Sequence, residues 1–551
     1  MASALRFLIL LLFVSSYESK NDNQDNGEVH SACEYASNRR YCEGSLSEGG
    51  GSSKSDPKDL TEIAIRLSMR QAKLVHDSIS DDSSSTRSMQ RQALADCRFL
   101  YNLTADYLNA SLTKLANSTN TTMEWKSAVY IQSYLSAALT NQATCLEGLS
   151  QANVSLRSLS FGKYIANASD SVGSSLALNR KYFVAGKGPV KRAGQNRRLL
   201  SNDDFLAQFD DGVPSWLSRA DRRRLLQSSG GDGILVGNIV TVAQDGSGNF
   251  TNITAAVNAA ADKSTDRYVI YVTAGIYSEN VDIPKNKWNI MLLGDGIDVT
   301  VITGNRSVID GWTTFTSATV SAVGVGFLAR DITFENTAGA EKHQAVALRV
   351  GSDLSAFYHC SIKGYQDTLY THSLRQFYRE CDIYGTVDFI FGNSAAVFQA
   401  CNLLARKPMD GQQNLYTAQG RTDPNQNTGI SIHNCNVTAA PDLVPVISSF
   451  PTYLGRPWKQ YSRTVYMQSY LDSYIQSAGW LAWSGDFALS TLYYGEYNNS
   501  GPGSDTSQRI AWPGYHVMNN ISDALSFTVS SFISGDAWIP SDAMPYDSGF
   551  L

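Results

Sequence analysis

Between Asp59 and Leu149, apolar residues recur at mixed three- and four-residue spacings, without internal Gly or Pro until the segments end. That pattern predicts three long amphipathic helices over residues 59–79, 88–116 and 124–149, with a fourth candidate over 155–179. Four such helices over about 120 residues predict an all-α antiparallel four-helix bundle. From about Asn238 the texture changes. Short runs such as RYVIYVTAGIY and WNIMLLGDG alternate with Gly, Asn and Asp, which reads as strands and turns. One early helix is predicted within DGSGNFTNITAAVNAAAD.

The strand-rich part repeats itself. DIT (331–333), CSI (360–362), CDI (381–383), CNL (401–403) and CNV (435–437) start 29, 21, 20 and 34 residues apart. A period near 20 with variable insertions marks a β-solenoid, in which each coil adds one strand to each parallel sheet. Residues one coil apart then lie on neighbouring strands, about 4.8 Å apart. Asp367 in GYQDTLY and Asp388 in GTVDFIFG are 21 residues apart and would be near neighbours. Gln344 and Gln366, 22 apart, would stack beside them, and Cys381 and Cys401, 20 apart, could bridge adjacent coils.

Charge and targeting signals set the context. At the N-terminus Arg6 precedes an apolar run from Phe7 to Val14, the pattern of a cleaved signal peptide over residues 1–19. Twelve N-x-S/T sequons and eight cysteines fit a secretory route. Residues 186–228 read as a basic linker with RRLL at 197–200 and RRRLL at 222–226, sites open to a processing protease. Residues 1–228 carry a net +4 and residues 229–551 a net −10, so bulk charge does not equip the second part to hold nucleic acid. Opposite signs would favour contact between the parts. No later apolar run is long enough to span a membrane.

Two stacked carboxylates resist ionising together, so one is held protonated while the other stays charged. The first can act as an acid and the second as base or nucleophile, with side-chain amides stabilising an oxyanion. In YLGRPWKQYSRTV, Arg456 can hold a carboxylate ionised through a two-pronged bond. Trp458 could stack on a sugar or be core, and Phe391, Tyr370 and Trp483 leave the same choice open.

The stretches HQAVALRV (343–350), GYQDTLY (364–370), GTVDFIFGN (385–393), TAQGRTDPNQNTG (417–429) and YLGRPWKQYSRTV (453–465) resemble plant pectin methylesterases. Residues 30–185 more loosely resemble the inhibitor of those enzymes, through Cys33, Cys42, Cys97 and Cys145 and the helices. The resemblance implies an all-β right-handed parallel β-helix over residues 229–551, preceded by an inhibitor-like helical pro-region. It implies hydrolysis of galacturonate methyl esters in pectin (homogalacturonan) to carboxylate and methanol. Asp388 would be the nucleophile, Asp367 the acid and later base, Gln344 and Gln366 the oxyanion donors, and Arg456 the clamp on Asp388. Thr314, Gln344, Arg456, Trp458 and Phe391 would contact substrate. It also implies bridges Cys33–Cys42 and Cys97–Cys145; Cys435 has no counterpart pairing in the family, and Cys360 and Cys435 are expected to be free and buried. No metal or other cofactor is needed. The expected product is a secreted, monomeric cell-wall (apoplast) enzyme open to control by a proteinaceous inhibitor.

Other pectin-acting β-helices need different residues. A lyase would require Ca²⁺-binding acids and a basic catalytic residue, and a polygalacturonase another acid cluster. Neither set of motifs occurs. A catalytically dead enzyme fused to an inhibitor is opposed by the intact Asp367, Asp388, Gln344, Gln366 and Arg456.

Overall fold

The computed structural model describes residues 27–52, 55–79, 88–118, 123–185, 239–542 and 544–551. The predicted signal peptide and both Arg-Arg-Leu-Leu sites lie outside the described residues. The first part is helical: α1 (Gly27–Ala32), α2 (Arg39–Glu48), α3 (Pro57–Ser78), α4 (Ser88–Ala116), α5 (Trp125–Gln151) and α6 (Gly162–Asn179). Asp56 starts α3 by accepting the Asp59 amide, and Pro57 fills the first helical position, where a missing N–H costs nothing. Leu60, Ala64, Ile65, Ala72 and Val75 then form its buried stripe. The four long helices pack as α3 against α4 and α6, and α5 against α4 and α6, which is the expected bundle. The fourth begins at Gly162 rather than 155. A 3₁₀ turn at Leu156–Ser158 precedes it, and a Cβ at Gly162 would stand 2.1 Å from the Leu156 carbonyl oxygen.

From Ile239 the chain winds into three parallel sheets of 11, 7 and 8 strands. This is the parallel β-helix anticipated from the repeat. The early helix, α7, is confined to Ile253–Ala259 and capped by Asn252. The echo falls in register at four of its five sites: Ser361 pairs with Asp382, Asp382 with Asn402, and Asn402 with Asn436. DIT is one residue out, because Thr333 rather than Ile332 pairs with Ser361. What repeats is a corner residue with positive φ: Asp331, His359, Glu380, Ala400 and Asn434 lie at 51–54°. The shared apolar letters follow one residue later.

Inside the coils, Phe357, Tyr378 and Phe398 stack with centroids 4.7 and 4.5 Å apart. Beside them run the buried thiols of Cys360, Cys381, Cys401 and Cys435, all four free. The expected Cys381–Cys401 bridge is therefore absent. In-register side chains on parallel strands point the same way about 4.8 Å apart, whereas a bridge wants Cβ atoms about 3.5–4.5 Å apart. The Cys381 thiol instead donates to the Arg379 carbonyl at 3.3 Å. Cys33–Cys42 and Cys97–Cys145 are bridged in the helical part.

Candidate active site

Asp367 and Asp388 each stand just before a strand of the seven-stranded sheet, Leu369–Thr371 and Ile390–Gly392. Leu369 pairs with Ile390, and the Asp367 amide donates to the Val387 carbonyl at 3.0 Å, so the two aspartates occupy equivalent places on adjacent coils. Both have positive φ, 62° and 53°, a conformation that Asp and Asn tolerate better than most residues. Below them the offset between coils is 22 residues, where the Ala345 amide bonds to the Gln366 carbonyl. It becomes 21 after Ala347 and Leu348, whose amides share the Thr368 carbonyl. That bulge sets Gln344 level with Gln366.

Arg456 grips Asp388 with two parallel bonds, Nε to Oδ1 at 2.9 Å and Nη2 to Oδ2 at 2.7 Å. Its guanidinium lies 4.4 Å from the ring centroid of the partly exposed Trp483. Burial, then the charge of Asp388, holds the Asp367 carboxyl well above the usual carboxylate range; Arg456 opposes the rise and Glu147 adds to it. The pair thus sets a buried carboxyl that holds its proton more tightly than usual beside a carboxyl gripped by a guanidinium. Gln366 and Arg456 also line a cavity of about 430 Å³, and Gln366 Oε1 is buried there without a hydrogen-bond partner.

An aromatic platform adjoins the pair. Tyr370 and Phe391 stack at 4.2 Å, and the Trp458 ring meets both edge-on at 6.4 and 5.8 Å. Gly420 is required beneath it, since a Cβ there would lie 2.7 Å from the Trp458 ring. The platform is not open. Phe315, Val346, Tyr370, Phe391 and Ala418 form one apolar cluster with bundle residues including Leu135, Leu139 and Leu149. Thr314 is covered as well: its amide donates to Gln151 Oε1 and its hydroxyl accepts from Gln151 Nε2, both at 3.0 Å.

Residues 239–536 match the family described as Pectinesterase, and residues 27–178 match Plant invertase/pectin methylesterase inhibitor. This chain belongs to the pectinesterase family. It is 48% identical to Probable pectinesterase/pectinesterase inhibitor 7 of Arabidopsis thaliana, over 100% of both chains. Identity to Pectinesterase 2 of Citrus sinensis is 47%, over 99% of this chain and 100% of the relative. Among solved structures, a pectin methylesterase from carrot aligns with TM-score 0.57 and 60% identity, covering 58% of this chain and 100% of its own.

The pectinesterase therefore holds its expected site residues in one place, but beneath its own inhibitor-family helices. Sequence reasoning missed the residues that make this cover. Lys459 follows Trp458 and pairs with Glu147 of α5 at 2.9 Å. His372 meets Thr144 at 2.9 Å, and Asn393 donates to the Thr140 hydroxyl at 2.8 Å. The available signal was the run of Ser, Thr, Asn and Gln in α5, too polar for the core of a free bundle. Among the described residues no three His, Cys, Asp or Glu side chains are arranged to hold a metal ion, and no helix is long and apolar enough to cross a membrane.

Proposed function

We propose that this pectinesterase cleaves galacturonate methyl esters of homogalacturonan through Asp388 and Asp367. A carboxylate oxygen of Asp388 attacks the ester carbonyl. Amides of Gln344 and Gln366 donate to the oxyanion of the tetrahedral intermediate. Asp367 passes its proton to the departing methoxy oxygen, and methanol leaves an acyl-enzyme on Asp388. Asp367, now ionised, takes a proton from water, whose oxygen attacks the acyl carbon and frees Asp388 and a galacturonate carboxylate. The observation that carries the reading is the two-pronged Arg456–Asp388 contact beside a buried Asp367 whose carboxyl is pushed above its usual range by burial and by Asp388. Thr314, Phe391 and Trp458 would seat the sugars once uncovered. The unpartnered Gln366 oxygen can accept from a substrate hydroxyl, while Gln366 Nε2 is the group that would donate to the oxyanion.

In this reading residues 1–19 are a signal peptide, 30–185 a pro-region that masks the cleft, and 186–228 the linker a protease cuts near Leu226. Residues 229–551 are then the mature, monomeric cell-wall enzyme, still open to a separate inhibitor protein. Methylated pectin treated with the cut protein should release methanol while keeping its chain length. Shortening of the polymer in step with any methanol would refute the reading in favour of a depolymerase.

A further inference from the structure

Helix α5 lies along the cleft with one polar stripe facing down: Ser133, Ser136, Thr140, Thr144, Glu147 and Gln151, at helical spacing. Asn427 and Gln426 bond to the first two, Asn393 to Thr140, His372 to Thr144 and Thr314 to Gln151. Five of the six positions are neutral. Glu147 is the sole acidic residue of α5, and it meets Lys459. Both partners are largely shielded, at 25% and 20% side-chain exposure. A half-buried ion pair holds two surfaces together no better than a well-packed apolar pair of the same size. A lysine here can therefore serve more than docking. The Lys459 ammonium sits 4.7 Å from the Trp458 ring centroid, on the platform that Tyr370 and Phe391 continue towards the two aspartates. Glu147 is also near enough to Asp367 for its charge to act on that carboxyl.

We propose that Lys459 is a subsite cation that binds a free galacturonate carboxylate next to the reacting ester, and that Glu147 fills this subsite as its mimic while α5 covers the cleft. The inference rests on the esterase reading above. Every turnover turns an ester into a carboxylate on the same polymer, so each product group becomes a ligand for Lys459 when the next unit reacts. A neutral methyl ester at that position offers the ammonium only a carbonyl oxygen. The enzyme should thus prefer partly de-esterified chain over fully methylated chain. The helix reproduces that preference with one carboxylate in a row of neutral hydrogen-bonding groups.

The test uses the full chain with a specific protease site in the linker, cut and assayed with both parts present. Methanol release is compared on fully methylated and on partly de-esterified pectin, per ester. The ratio of the two rates cancels the fraction of molecules whose cleft is open. Wild type should favour the partly de-esterified polymer about fivefold. Lys459→Gln should bring the ratio close to one, and Lys459→Arg should preserve it. Glu147→Gln should raise both rates and leave the ratio alone. Unesterified trigalacturonate should inhibit Lys459→Gln about fivefold less well than wild type. A ratio and inhibition unchanged in Lys459→Gln would overturn the subsite while leaving the esterase reading intact. Unchanged rates in Glu147→Gln would overturn the mimicry. No methanol from cut wild type on either pectin would sink the esterase reading and this inference with it.

Discussion

Asp96 and His372 are buried where helices meet β-helix, and they respond to pH in opposite senses. The Thr313 hydroxyl donates to Asp96 at 2.7 Å, yet burial pushes the Asp96 carboxyl up to about 6 from 3.8. Its folded-state value is raised, so its contribution to stability is complete below about pH 3.8 and is lost as pH rises through about 6. Burial and the neighbouring Arg349 push His372 down to about 3, so the folded state is disfavoured as pH falls through 6.5, where the unfolded imidazole charges. The two effects overlap, and a variant separates them. Asp96→Asn keeps an acceptor for Thr313 and removes one titration. Relative to this variant, wild type should lose stability on the order of 3 kcal/mol between about pH 4 and 7. Thermal unfolding of the full chains checks this; parallel pH profiles would contradict it.

At the scale of elements, the coil was legible before the structure because its signal is repetitive. Aromatic and β-branched runs recur near 20 residues and put Asp367 and Asp388 side by side. The helices were legible from their apolar spacing. Three details were not. DIT falls out of register because a positive-φ corner, not a letter pattern, is what repeats. The Cys381–Cys401 bridge fails because one-coil spacing fixes distance and not the convergence of Cβ atoms that a disulfide needs. The polar face of α5 is buried by a surface about 250 residues away in sequence, which no local window contains. Non-reduced peptide mapping should therefore find Cys33–Cys42 and Cys97–Cys145 and four alkylatable thiols after denaturation. A Cys381–Cys401 peptide would contradict the coil geometry. A double-mutant cycle on Gln151→Ala and Thr314→Val should show coupling of about 0.5–1.5 kcal/mol in the stability of the full chain. A coupling of zero would mean that this contact does not fasten α5 over the cleft.

Across the whole molecule, the opposite net charges of the two parts suggested attraction, but the contacts run the other way. Among the described residues Glu147 pairs with Lys459 and Asp106 with Lys285, and in both the acid comes from the helices and the cation from the β-helix. The net +4 of residues 1–228 lies in the linker instead, where nine Lys and Arg, among them Arg197, Arg198 and Arg222 to Arg224, face five Asp. Hydrogen bonding and apolar packing along α5 join the two parts, and cleavage at the linker arginines remains a proposal that substitution tests. A chain with those five arginines changed to Ser should stay uncut and release methanol at least tenfold more slowly than the cut enzyme. Equal activity would end the masking role of the helices.

Asp388, held by Arg456, is proposed as the nucleophile and Asp367 as its proton partner. Asn is the right replacement, since it keeps the shape and tolerates the positive φ at both positions. The direct measurement is methanol release from methylated pectin by cut Asp388→Asn, Asp367→Asn and the double variant, each shown folded by circular dichroism. Asp388→Asn should lose several orders of magnitude, about 10⁴ or more, because no other group is placed to form the acyl-enzyme. Asp367→Asn should lose about 10²- to 10⁴-fold, and the double variant should be little worse than Asp388→Asn alone. Near-normal methanol release from folded Asp388→Asn would contradict the account.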